Sequence, residues 1–211
     1  WKFFVIFWSV VLVGIIGVFV FFWLISAGKL GFMPTFEELE NPNNRFASEV
    51  YFADGPIMNR YFEKENRKYI EYREIPQSVI DALIATEDVR FYDHSGVDVR
   101  GLFRVAKGLL TANTSAGGGS TISQQLAKML FPRESDLNVF ELAIRKFREW
   151  VIAVRLEKSY TKEEILTMYL NKYDFLNLAV GISSAADIYF QVPLDSLKVE
   201  QAAMLIGMAK N

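Results

Sequence analysis

Glu87 is a carboxylate in an apolar place. It follows Leu83 by four residues and Ile84 by three, so it falls on the apolar face of the helical period that includes Val79 and Ile80. A charge there is costly unless it is used or paired. It therefore reads either as a working acid or base, or as a buried partner for a helix end. Asp88, Phe91, His94 and Gly96 complete the compact string EDVRFYDHSG. His94 is the only histidine and there is no cysteine. A Ser/His/Asp triad or two-histidine metal site would have to pass through that one ring, and thiolate chemistry is excluded. A lone histidine is more often structural than catalytic. Chemistry in this chain runs on carboxylates, lysines, arginines and hydroxyls.

A second group is the segment GGGSTISQQLAK, residues 117–128. Glycines let a backbone approach a ligand closely, and the free N–H groups of a helix start attract anions. Thr121, Gln125 and Lys128 share one face of that helix, with Ile122, Leu126 and Met129 opposite, a surface suited to a phosphate with sugar hydroxyls nearby. It is not a P-loop, because no Gly-Lys-Ser/Thr follows the glycines. The plainer reading is a loop leading into a well-capped helix, with Thr121 and Gln124 as a capping box. The third group, Arg145, Lys146, Arg148 and Glu149, has i, i+4 pairs Glu141–Arg145 and Arg145–Glu149, which elsewhere mark a solvated face. Two isolated acids, a glycine-flanked anion site and a basic cluster together point to transfer chemistry on a phosphorylated substrate.

The elements that must hold these residues begin with a membrane span. Residues 3–25 carry no charge, and at ~1.5 Å per residue they extend ~35 Å, against ~30 Å for a bilayer core. An uncleaved anchor fits that length better than a signal peptide with its shorter apolar core. A net charge of −2 and a pI near 5.6 exclude a nucleic-acid binder. We expect three regions: an anchor over 1–28, a connector with a β-hairpin turning at Asp54-Gly55 over 29–75, and a helical domain over 76–211. In the connector, Leu30, Phe32, Met33 and Phe36 give an amphipathic hint. Pro76 opens a helix running to Thr86. Asp98 caps another, with Leu102, Phe103 and Ala106 inward and Arg100, Arg104 and Lys107 outward. Further helices are expected from Ser120-Thr121 to Pro132, over 138–157, from the capping box Thr161/Glu164, and near 178–190 and 196–209.

These strings carry a family resemblance. EDVRFYDHSG resembles the EDxxFxxHxG signature of the peptidoglycan glycosyltransferases, GGSTISQQ their GGSTxTQQ, RKFRE their RKxxE, and KEEILTMYLN their KxxILExYLN. Ser123 stands where the second motif has Thr, which keeps the hydroxyl; Thr167 stands where the fourth often has Glu, and no catalytic role is carried there. The likeness implies a mainly α, lysozyme-like, two-lobed domain with a membrane-dipping jaw, from a class A penicillin-binding protein or a monofunctional glycosyltransferase. An Arg-rich fifth motif is not reached, so a C-terminally truncated domain is expected; a transpeptidase reading has neither SDN nor KTG to support it.

The resemblance implies polymerisation of lipid II by inverting transfer, with loss of undecaprenyl pyrophosphate. Glu87 would be the general base and Glu149 the second acid, on the pyrophosphate side, holding a lysine or a metal. Asp88, Phe91 and His94 would support Glu87. Gly119, Ser120, Thr121, Gln124, Gln125, Lys128, Arg145, Lys146 and Asn171 would bind substrate and pyrophosphate. A divalent cation, Mg2+ or Mn2+, is expected, with Glu87 as its candidate ligand. Expected partners are lipid II, the growing glycan strand, the bacterial membrane and cell-wall synthesis proteins, with no nucleic acid. The place is the bacterial inner (plasma) membrane, single-pass, with the domain on the outer, periplasmic side. The rivals are a lysozyme-like hydrolase, which would shorten glycan, and a catalytically silent lipid II-binding scaffold.

Overall fold

The computed structural model describes residues 1–31, 33–35, 48–51, 57–61, 66–111, 118–131 and 138–208. The first helix, α1, is Lys2–Ser26, long and apolar enough to cross a membrane, and its outward residues are left bare of protein contact. Strands β1 (Ser48–Tyr51) and β2 (Ile57–Tyr61) pair antiparallel as the expected hairpin, with Ser48 opposite Tyr61. Its turn at Asp54-Gly55 lies outside the described residues, as do Phe32 and Phe36, whereas Met33 packs against the core. A two-residue strand β3 (Asn66–Arg67) pairs parallel with β4 (Ala179–Val180), an element absent from the sequence expectations.

The helices form because their ends are specified locally. Pro76 opens α2 (Gln77–Glu87), since a proline ring suits a helix start that needs no N–H. α3 is Val99–Leu110 and α4 is Ile122–Leu130. Asn138 and Glu141 form a capping box on α5 (Val139–Ser159), and Thr161 and Glu164 form the expected one on α6 (Lys162–Lys172). α7 (Ile182–Phe190) and α8 (Val199–Met208) follow. The core is where α2 lies on α8 and α4 lies between α5 and α6. Val79, Leu83, Phe91, Ile122, Leu126, Leu156, Ile165 and Tyr169 are fully buried there.

Several expectations need correction. Phe103 and Ala106 do not point inward: Phe103 is 73% exposed, and only Leu102 is half-buried. The side of α3 that packs carries Gly101, Gly108 and the half-buried Leu102 and Val105 beside Gly119, which leaves Phe103 and Ala106 on the other side. The seventh helix starts at Ile182 rather than near 178, because Leu176, Asn177 and Leu178 have positive φ and break any helix before β4. Thr121 caps α4 by accepting from the Gln124 N–H, but the Gln124 side chain does not return the bond; it donates to Gly96 O instead. Nor do the i, i+4 pairs of α5 form as drawn. Glu141 is taken up by its cap, and Glu149 pairs with Lys146.

Two backbone positions test this account. Gly96 has φ +95, and a Cβ there would lie 2.8 Å from the backbone of Ala153 and Val154 on α5. Gly96→Ala meets both strain and a clash with backbone that cannot yield, so it should cost at least about 2 kcal/mol in denaturant melts. Gln191 ends α7 in the left-handed region at φ 55, ψ 36. Gln191→Gly should therefore stabilise by about 0.5–1 kcal/mol, read by the same melts.

Candidate active site

The string 87–96 is fastened to the start of α4. Asp88, 7% exposed, accepts from His94 Nε2 at 2.9 Å and from the Ile122 N–H at 3.1 Å. His94 Nδ1 in turn accepts the Gly96 N–H at 3.2 Å, which places the ring proton on Nε2. Gly96 O then receives the Thr121 hydroxyl at 2.7 Å and the Gln124 amide at 3.3 Å. Behind this knot, Lys162 Nζ donates to His94 O at 2.7 Å and to Glu157 at 2.8 Å, and lies 4.2 Å from the centre of the Phe91 ring. Ser123 donates to the other side of the knot through Glu157 Oε1. The hydroxyl that Ser123 retains thus anchors α4 to α5.

Glu87 comes out of this knot at the end of α2, beside a cleft of about 360 Å3. Its Oε2 accepts from Gln125 Nε2 at 2.6 Å, and Gln125 Oε1 accepts from the Tyr169 hydroxyl at 2.9 Å. That chain fixes which way the Gln125 amide faces, because a phenol this buried donates. Burial pushes the Tyr169 phenol far up, and the Glu87 charge adds to it; Tyr173, stacked on Tyr169, is raised for the same two reasons. Glu87 Oε1 is buried and has no hydrogen-bond partner among the described residues. Glu87 thus lines the cleft with one oxygen clamped by Gln125 and the other an unmet acceptor, an arrangement uncommon for a buried carboxylate.

Across the cleft stand Arg90, Asp98, Arg104, Gly118, Gly119, Ser120 and Thr121. Burial raises the Asp98 carboxyl, but hydrogen bonds from Arg90 and from the Gly101 N–H, and the Arg90 charge, bring it net below its ordinary value. The Asp98 hydrogen bond in turn raises Arg90. Asp98 thus caps α3, as expected, while pinning Arg90 at the cleft wall. Ser120 Oγ accepts from Lys146 Nζ at 2.9 Å, and the same ammonium pairs with Glu149 at 2.9 Å. The glycine loop end, the basic helix and the second acid are therefore one assembly. Arg145 makes no ion pair among the described residues.

The structure separates other expected site residues. Lys128 is exposed in the last turn of α4 and is not among the cleft-lining residues. Asn171 is a brace: its amide exchanges two hydrogen bonds with the backbone of Ile70, at 3.0 and 2.8 Å. Phe91 is core, under Lys162. Thr167, buried, spends its hydroxyl on Glu163 O. Residues that periodicity did not single out are Arg90, Arg104, Glu157, Lys162 and Tyr169. Arg104 had a usable signal, since it lies one turn beyond Gly101 on the helix that Asp98 caps. The pairing of Glu157 with Ser123 had none. Among the described residues no three His, Cys, Asp or Glu side chains come together as a metal site. The described residues alone make no cage for a divalent cation, and Glu87, its expected ligand, joins no such group among them.

The family model described as Transglycosylase matches residues 54–211. The chain is 37% identical over 178 residues to Penicillin-binding protein 1A of Escherichia coli (strain K12), covering 84% of this chain and 20% of that protein. It is similarly 37% identical to Penicillin-binding protein 1A of Pseudomonas aeruginosa and 36% identical to that of Neisseria lactamica, over 84% of this chain and 21% and 22% of those proteins. The chain thus spans about a fifth of the length of these relatives. With residues of its first two motifs lining one cleft, the third joined to it through Lys146 and Ser120, and its helical domain inside the matched region, the chain belongs to the transglycosylase family.

Proposed function

We infer that the chain polymerises lipid II into glycan strands by inverting glycosyl transfer, at the outer face of the bacterial plasma membrane. The observation that carries this reading is the Glu87 carboxylate in the cleft wall, with Oε2 held by Gln125 and Oε1 without a partner among the described residues. In the reaction, the Glu87 carboxylate takes the proton of the acceptor sugar's 4-hydroxyl. The freed oxygen attacks the donor's anomeric carbon from the face opposite its pyrophosphate, and the carbon–oxygen bond to undecaprenyl pyrophosphate breaks. One displacement inverts that carbon. Charge then builds on the leaving pyrophosphate, and a cation already in place stabilises it without reorganising. Lys146 is fixed between Ser120 and Glu149 for that task. Arg104 and Arg145 add positive charge, and Gly118 and Gly119 leave the wall open for close approach. A magnesium or manganese ion enters this reading only as a companion of the phosphates. The growing strand and other cell-wall synthesis proteins are its expected partners.

Two substitutions test the division of labour. Glu87→Gln keeps the shape and can keep the Gln125 contact but cannot accept the proton. Turnover of fluorescent lipid II should drop ~10²–10⁴-fold with the melting curve unchanged and binding of a pyrophosphate-bearing inhibitor retained. Lys146→Met should lower kcat/KM by about 10²-fold and weaken that inhibitor's binding as well. Near-normal polymerisation by Glu87→Gln would remove it as the base, and shortening of preformed glycan by the parent chain would favour a hydrolase.

A further inference from the structure

The helix that carries Lys146 and Glu149 is also the one that grips the membrane anchor. Phe147 meets Phe21 and Phe22 edge-on, with ring centres 5.4 and 5.7 Å apart, and meets Trp150 at 5.2 Å. Two turns further on, Arg155 Nη2 donates to Ser26 O and Ser26 Oγ, both at 2.8 Å, and Nη1 donates to Pro34 O at 3.0 Å. One guanidinium thus ties the last residue of α1 to the chain that leaves it, taking a carbonyl that the end of a helix leaves without an intrahelical donor. Gly31, at φ +112, is pressed so closely on the Arg148 guanidinium that a Cβ would collide with it. The anchor and α5 are locked together along their shared length.

The order of these contacts gives α5 a direction. They climb the same way on both helices, Phe21 and Phe22 to Phe147, then Ser26 to Arg155, so α5 rises beside the end of α1. Its first turns, residues 139–146, therefore lead back towards the membrane. Val139 is 84% exposed, Phe140 71% and Leu142 42%. Glu141, whose carboxylate takes the Asn138 N–H, and Arg145 limit how deep that turn sinks. An amphipathic helix so balanced settles ~5–10 Å into the boundary between headgroups and acyl chains.

We propose that the Arg155 clasp sets the depth of α5 in the outer leaflet and so holds Lys146 and Glu149 at the level of lipid phosphates. Arg155 is a positioning residue: it touches no reacting atom and acts through α5. This rests on the reading that α1 spans the membrane and that the substrate is lipid-linked. A site at that height meets a pyrophosphate where its lipid places it, without drawing the acyl chain into water.

The absence of cysteine allows a direct measurement. Phe140→Cys, spin-labelled in the full chain in phosphatidylethanolamine–phosphatidylglycerol vesicles, should report more contact with oxygen than with a water-soluble nickel chelate. Adding Arg155→Ala should shift the label towards water, and Arg155→Lys should restore much of the depth; Phe147→Ala tests the aromatic half, with circular dichroism confirming the fold. In parallel, Arg155→Ala should raise KM for the long-chain substrate in vesicles about tenfold, leaving kcat and turnover of a water-soluble short-chain substrate little changed. A label exposed to water in the parent chain, or a depth unmoved by Arg155→Ala, overturns the proposal. So does an equal loss on both substrates. The spin-label result needs no transferase activity, so failure of the proposed reaction is distinguishable from failure of the clasp.

Discussion

The cleft depends on one buried carboxylate, that of Asp88. A charge so far from water is tolerated only when donors surround it, and here they come from both sides of the chain: the His94 ring and the Ile122 N–H. Meeting that need bends residues 87–96 back onto the start of α4. The rest follows by geometry. Gly96 must pass against the backbone of α5, its carbonyl becomes the shared acceptor for Thr121 and Gln124, and Gln125, one turn beyond Thr121, arrives at Glu87. Lys162 closes the knot from behind with His94 O and Glu157, so that a displacement of any strand of it would be felt at Glu87.

Three acids around the cleft show how environment divides labour among like groups. Asp88 has every demand met and is structural. Glu149 is paired to an ammonium that also holds Ser120, so its effect is to fix a cation. Glu87 alone is half satisfied. An unmet buried acceptor costs on the order of 1–3 kcal/mol, and a fold with so many good hydrogen bonds nearby carries that cost at one oxygen of the acid that the proposed reaction uses as its base.

α5 joins two tasks that elsewhere belong to separate elements. One side of it holds Ser120 at the cleft wall through Lys146 and Glu149, and another supplies Phe147 and Arg155 to α1. Because a helix is stiff along 21 residues, the height of the anchor and the height of the basic cluster are not independent.

Element types and ends were legible because their causes are short-range. Pro76, the caps at Asp98 and Thr121, the capping box at Thr161 and the apolar run of α1 each act within a few residues, and helices followed from each. The apolar placement of Glu87 was legible for the same reason. What failed were inferences about partners. Periodicity put Phe103 inside, yet α3 packs through Gly101, Gly108, Leu102 and Val105, and i, i+4 spacing paired Arg145 with Glu149, yet Glu149 pairs with Lys146. By itself the sequence determined that this chain has one helix long and apolar enough to cross a membrane, a helical domain and a misplaced acid. Only the tertiary structure decided that Gln125, 38 residues away, holds that acid, that Asn171 braces Ile70 across 101 residues rather than facing the cleft, and that Arg155 reaches Ser26 across 129. Hydrogen bonds between such distant residues leave no trace in local spacing, because which donor reaches which acceptor is settled by how the helices pack.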